Sequence, residues 1–362
     1  MRNQITEIYW IRVLACLSVV FIHVLTRIYN NFELNEFTNT MLKTIQVFFM
    51  FATPMFVMIF EVVLASVYSK NLPKNFIKKR FLYLLMPFIT VPFLYGIYYK
   101  IVNHLSWEEF RIALIENILL ATWHGYFIII ILQFVVIHTV YVKWLHHVKV
   151  WKMLVITFII NGVYLYLVNF QIEAFPTFMQ NWFSLVRVPF FGWIFYFTVA
   201  YYVGRNLREI KKHRAWGLPF SVMTTIICGY TIFLVFKTGL LIEVSSMRLD
   251  IILYTISLFF VFLYTFSYIQ RIPKLIRFIN NYSFPIYLLH FLAFNIGDLI
   301  LPELPVGIYG ISMFIMGILF SVWMAKIINI LPIGQFIVGK VNKVEKDCLG
   351  EKIERRLLNR SA

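Results

Sequence analysis

Ten stretches of mostly apolar residues occupy most of this chain, at roughly 8–28, 42–66, 81–102, 125–145, 153–170, 188–204, 218–236, 250–269, 282–301 and 309–331. A helix of about 20 such residues matches the hydrocarbon thickness of a bilayer. The expected fold is therefore an all-α polytopic membrane protein of about ten transmembrane helices. Hydrophobic residues make up 60% of the chain and charged residues only 14%, a balance that excludes a soluble enzyme, a disordered regulator or a fibrous protein. No internal repeat or low-complexity linker is visible. One membrane domain over 1–335, followed by a basic cytoplasmic tail over 336–362, is the simplest division.

Lysine and arginine in short loops orient such a bundle. With the N-terminus inside, 24 of the 33 basic residues fall on the cytoplasmic side, seven fall outside, and Arg12 and Lys326 lie within spans. Both termini are expected in the cytoplasm, together with the 70–80 and 205–214 loops. The net charge of +16 is thus an orientation signal and not a nucleic-acid footprint. The first apolar run contains Arg12 and is followed by no small-residue cleavage site, so no cleavable signal is expected. Cys16, Cys228 and Cys348 form neither a disulfide framework nor a metal motif. Between the third and fourth runs, Trp107, Phe110, Leu114 and Ile118 recur every three or four residues, which predicts an amphipathic helix on the outer surface.

Ionisable groups inside spans are costly, and each is a functional candidate. Arg12 and His23 are eleven residues apart on the first span. They lie about 20° apart around the helix and about 16 Å apart along it, so they share a face. A cation then sits near the cytoplasmic edge and a titratable base in the outer half. Two readings stay open: a lined cavity, or Arg12 reaching the inner headgroups while His23 bonds a backbone carbonyl. Glu61 on the second span lies at the depth of Arg12. It is expected either to pair with Arg12, or to be protonated or reach the 70–80 loop. The ninth span carries Ser283, Tyr287 and His290 on one stripe, with His290 between the depths of Arg12 and His23. His124 opens the fourth span beside Trp123 and Tyr126, which are interfacial anchors first. His104, His138, His146, His147 and His213 read as loop or flank residues. No G-x-S-x-G, H-E-x-x-H, Walker or zinc-spaced motif occurs.

Arg12–x10–His23, Trp123-His124-Gly125-Tyr126-Phe127 leading to Gln133-Phe134, and Ser283-x-x-x-Tyr287-Leu288-Leu289-His290 together resemble the acyltransferase 3 family of multi-span membrane proteins. The likeness runs over nearly the whole chain. Gly125-Tyr126-Phe127 and the run Phe191–Phe197 are most similar to the branch found at biofilm polysaccharide loci. Two motifs differ from the common pattern: Arg80 is followed by Tyr83 where a second arginine often stands, and Phe56–Glu61 replaces a Phe-Phe-x-x-Ser-Gly stretch.

The resemblance implies a bacterial plasma-membrane O-acyltransferase. It would move an acetyl or succinyl group from cytoplasmic acyl-CoA, used as donor substrate with no permanently bound cofactor or metal, to a hydroxyl of a cell-surface glycan or glycolipid. In that reading His23 is the general base, and Arg12 places the donor. Lys79 and Arg80 hold its phosphates, Glu61 steadies Arg12, and His290, Tyr287 and His124 line the passage. Its partners are acyl-CoA, the glycan and membrane lipid, with no nucleic acid. The alternative is an exporter or flippase of a surface polysaccharide such as poly-N-acetylglucosamine, using the same cavity without chemistry.

Overall fold

The computed structural model describes residues 5–301 and 304–341. The basic tail from 342 onward, including Cys348, lies outside the described residues. Helices α1 (Thr6–Asn31), α2 (Glu36–Phe49), α3 (Ala52–Val67), α4 (Phe76–Val102) and α5 (Trp107–Leu119) are followed by α6 (Tyr126–Val140), which runs on into a π-helical turn at Tyr141–Leu145. Then come α7 (Val150–Phe170), the short α8 (Thr177–Asn181) and α9 (Phe183–Arg187), α10 (Ile194–Arg205), α11 (Leu207–Lys212) and α12 (Arg214–Lys237). The last are α13 (Ile251–Phe266), α14 (Lys274–Ile300), α15 (Val306–Ile328) and α16 (Gly334–Ile337). Among the described residues, eight helical segments are long and apolar enough to cross a membrane, with α2 and α3 counted as one. The shorter α10 and α13 fall at the sixth and eighth expected spans. All ten apolar runs are therefore helical, and the chain is a polytopic membrane protein.

Two spans depart from simple helices for stated reasons. Asn35 caps α2 by accepting from the Thr38 amide at 2.8 Å, which starts the second span earlier than its apolar run. Pro54 then falls in the first turn of α3. Its ring crowds the carbonyl four residues back, and the helix breaks at Met50–Phe51. The sixth span is interrupted before α10, because Pro189 and Gly192 bracket a single 3-10 turn. The irregular backbone there lies against the middles of α6 and α7, where lipid offers no hydrogen bonds. Side chains supply them. Asn161 donates to the Gly192 carbonyl and accepts from the Phe195 amide, both at 3.1 Å. Gln133 donates to the Val188 carbonyl at 2.9 Å and accepts from the Phe190 amide at 3.1 Å.

Helices α1 and α14 run parallel, side by side. Arg12 Nη1 meets Asn280 Oδ1 at 3.2 Å, Cys16 approaches the Ser283 carbonyl, and the His23 ring lies beside His290. At the far end Arg27 binds Asp298 at 2.6 Å and Asn295 at 2.5 Å. The near end is the basic one: Glu7 pairs with Lys211 of the 205–214 loop. Helices α3 and α10 approach closely, since a Cβ on Gly204 would sit 2.6 Å from the Val62 carbonyl. The expected surface helix is α5, with no buried residue and a capping box between Ser106 and Glu109. Those bonds hold the Glu109 carboxyl below the usual range. Phe110 packs over Gly96 of α4, while Trp107 stays 70% exposed beneath the Lys100 ammonium.

Candidate active site

Two cavities enter the bundle from opposite ends. The outer one, of about 770 Å³, opens away from the basic loops among Asn117, Thr122, Asn181 and Ser245, and reaches inward to His23. The inner one, of about 270 Å³, is lined by Arg12, Asn280, Asn281, Ser283 and Lys340. Phe56, Phe127 and Tyr287 line both and form the wall between them. Among the described residues, no aspartate or glutamate lines either cavity.

The shared face expected for Arg12 and His23 points at α14, so the two residues meet different cavities along one stripe. His23 makes no hydrogen bond among the described residues. Its ring lies 5.3 Å from that of His290 and 4.5 Å from that of Phe291, centroid to centroid. His124 completes a three-histidine group, 5.2 Å from His290 and stacked on Phe291 at 4.5 Å. Two bonds to α14 fix it: its Nε2 lies 3.1 Å from the Leu288 carbonyl, and its own carbonyl accepts from the Tyr287 hydroxyl at 2.5 Å. No group of three His, Cys, Asp or Glu side chains among the described residues is arranged to hold a metal ion.

His290 is fully buried and lines neither cavity. Its Nδ1 lies 2.9 Å from the Ile286 carbonyl, which fixes the proton on that nitrogen and leaves Nε2 with a lone pair and, among the described residues, no partner. It therefore stands behind His23 and not in the passage itself.

Several placements correct the sequence expectations. Glu61 does not pair with Arg12: its Oε1 lies 2.7 Å from His138 Nδ1, and neither side chain is exposed. The reason is angular. Arg12 faces α14, while Glu61 on α3 faces α6, where His138 sits at the same depth. His138 is thus an interior residue and not a flank, and Glu61 lines neither cavity. Lys79 is exposed at the start of α4, and Arg80 lies over the Phe76 ring at 5.6 Å; neither lines the inner cavity. The second cation there is Lys340, just past α16, on a segment anchored by the fully buried Val338.

Arg187, one of the seven outer basic residues, lines the outer cavity. The Pro189–Gly192 break is the sequence signal that places it there. Asn161, a polar residue inside a span, was likewise a readable signal.

An acyltransferase domain profile matches residues 5–326. The chain belongs to the acyltransferase 3 family. Its relatives include the "Putative membrane-bound acyltransferase YfiQ" of Bacillus subtilis (strain 168), 30% identical over 93% of this chain and 95% of the relative. They also include the "Probable poly-beta-1,6-N-acetyl-D-glucosamine export protein" of Staphylococcus aureus (strain Mu50), 27% identical over 80% of this chain and 82% of that one. The protein of the same name from Staphylococcus epidermidis is 27% identical over 80% of this chain and 81% of its own length. No solved structure matches. In this membrane-embedded family member the Arg–x10–His signature is thus divided between two cavities that share one wall.

Proposed function

We propose that this protein moves an acyl group from cytoplasmic acyl-CoA to a hydroxyl of a cell-surface glycan. One observation carries the reading: cavities from opposite ends meet at Phe56, Phe127 and Tyr287, with Arg12 and Lys340 on the inner side and His23 on the outer. Among the described residues, two cations and no carboxylate line the inner cavity, which suits the phosphates of a coenzyme A donor. The acyl thioester reaches the shared wall from inside, and the hydroxyl reaches it from outside. His23 takes the hydroxyl proton as the oxygen attacks the thioester carbon. A C–O bond forms, the C–S bond breaks, and the leaving thiolate takes the proton back from His23. His290 backs the His23 ring, and His124, tied to Tyr287, fixes the outer edge of the wall.

Two relatives are named for polysaccharide export. An export route needs a continuous passage wide enough for a sugar chain, whereas the inner cavity holds about 270 Å³ and ends on two phenylalanines and a tyrosine. That favours transfer of a small acyl group over passage of a glycan. The test is His23→Gln, which keeps hydrogen bonding and removes basicity. Acylation of surface polysaccharide, read by mass spectrometry, should fall by about 10²–10⁴-fold with expression intact. Normal acylation by this variant would overturn the reading.

A further inference from the structure

Among the described residues, the lining of the outer cavity carries one formal charge, the guanidinium of Arg187. Its position is built. The Arg187 carbonyl accepts from Trp193 Nε1 at 2.9 Å, and the preceding carbonyl of Val186 accepts from the Tyr164 hydroxyl at 2.7 Å. The guanidinium carbon lies 4.8 Å from the Tyr126 ring centre and 5.0 Å from that of Phe183, so aromatic rings hold it at the cavity wall. No carboxylate bridges it among the described residues. Two other arginines toward this end, both within the bundle, are paired: Arg27 with Asp298 at 2.6 Å and Arg248 with Asp250 at 2.5 Å, whereas Arg111 lies exposed on α5. A half-buried, ring-held guanidinium facing a cavity without acids is an unmet half of an ion pair. Its planar fork fits the two oxygens of a carboxylate or phosphate.

We infer that the outer cavity takes a ligand bearing a carboxylate or phosphate, and that Arg187 is the residue that recognises this anion beside His23. The inference deepens the acyltransferase reading and rests on it for the ligand's role. Two sources carry the same chemistry: a carboxylate on the acyl group, as in a dicarboxylic monothioester, or an acidic or phosphorylated acceptor sugar. Arg187 then selects the charged member of each pair, while the surrounding tyrosines and tryptophans stack on whatever sugar is present.

The test uses the full chain in lipid nanodiscs and three probes: succinate, N-acetylglucosamine 1-phosphate and neutral N-acetylglucosamine. Binding is read by saturation-transfer NMR for the native protein, Arg187→Gln and Arg187→Lys. At least one anion should bind the native protein. Arg187→Gln should weaken that binding by about tenfold or more, Arg187→Lys, which keeps the charge and loses the planar fork, should weaken it less, and the neutral sugar should be unaffected. Preference for succinate places the anion on the acyl group, and preference for the sugar phosphate places it on the acceptor. If neither anion binds the native protein, or if a monodisperse Arg187→Gln variant binds as the native protein does, the inference fails. If Arg187→Gln does not fold, Arg187→Met takes its place, and a folded Arg187→Met variant that binds the anion as the native protein does would overturn the inference. Comparison with His23→Gln separates the two proposals. Arg187-dependent anion binding alongside His23-independent acyl transfer would leave this site standing and remove the acyltransferase reading; the reverse pattern would remove this inference alone.

Discussion

Glu61 Oε1 and His138 Nδ1 lie 2.7 Å apart between α3 and α6, with both side chains withdrawn from solvent. Among the described residues, the second carboxyl oxygen and His138 Nε2 have no further partner, so each residue depends on the other. Glu61→Ala or His138→Ala should cost about 3–5 kcal/mol of stability, because the remaining polar group stays buried and unmatched. Replacing both with apolar residues of similar volume should recover most of that. Thermal unfolding in detergent reads the outcome, and near-native stability of either single variant would show that the pair contributes little. The pair lines neither cavity, so residual folded protein should keep its activity.

The broken sixth span makes a second expectation specific. Asn161→Leu removes the partners of the Gly192 carbonyl and the Phe195 amide together. Each buried backbone group left unsatisfied costs about 1–3 kcal/mol. Hydrogen exchange should rise over 188–195 and stay unchanged in α14. Unaltered exchange across the break would mean that other groups replace Asn161.

Phe127 tests the wall between the cavities. Phe127→Ala should join them and let water reach the thioester, raising CoA release in the absence of any acceptor. The readout is free thiol from acyl-CoA in proteoliposomes. No rise in acceptor-independent release would argue that Phe127 does not separate the two sides.

Orientation has its own check. On a background lacking the native cysteines, single cysteines at Asn35 and Ser245 should react with an impermeant thiol reagent added outside intact cells, and one at Asn75 should not. Reaction at Asn75 would invert the bundle.

Periodicity and loop charge made the helices legible, because span length and the position of lysine and arginine are one-dimensional properties. The shared face of Arg12 and His23 was legible for the same reason: helical phase is set by spacing within one segment. Which helix that face meets is not a local property, and here the Glu61 expectation failed. Equal depth permits many partners, and the rotation of α1 and α3 about their axes decides among them. Lys340 and Arg187 were hidden by the same logic. Each looked like a loop charge until packing brought α16 against α4 and folded the 172–192 segment back among α6 and α7. Asn161 and Gln133 were visible as polar residues within spans, but their role appears only once the backbone they satisfy is seen to leave the helix.

The two cavities have an electrical consequence, because both cut into a hydrocarbon layer of about 30 Å. With cavities indenting the bundle from both ends, the transmembrane voltage drops chiefly across the thin layer at Phe56, Phe127 and Tyr287. A unit charge crossing that layer exchanges close to the whole voltage, about 2.3 kcal/mol for each 100 mV. In a cell whose interior is negative, outward passage of an anionic acyl group, under the function proposed above, would run downhill in energy toward Arg187. The geometry that shortens the path thereby gives such a transfer a direction that the thioester chemistry alone does not set.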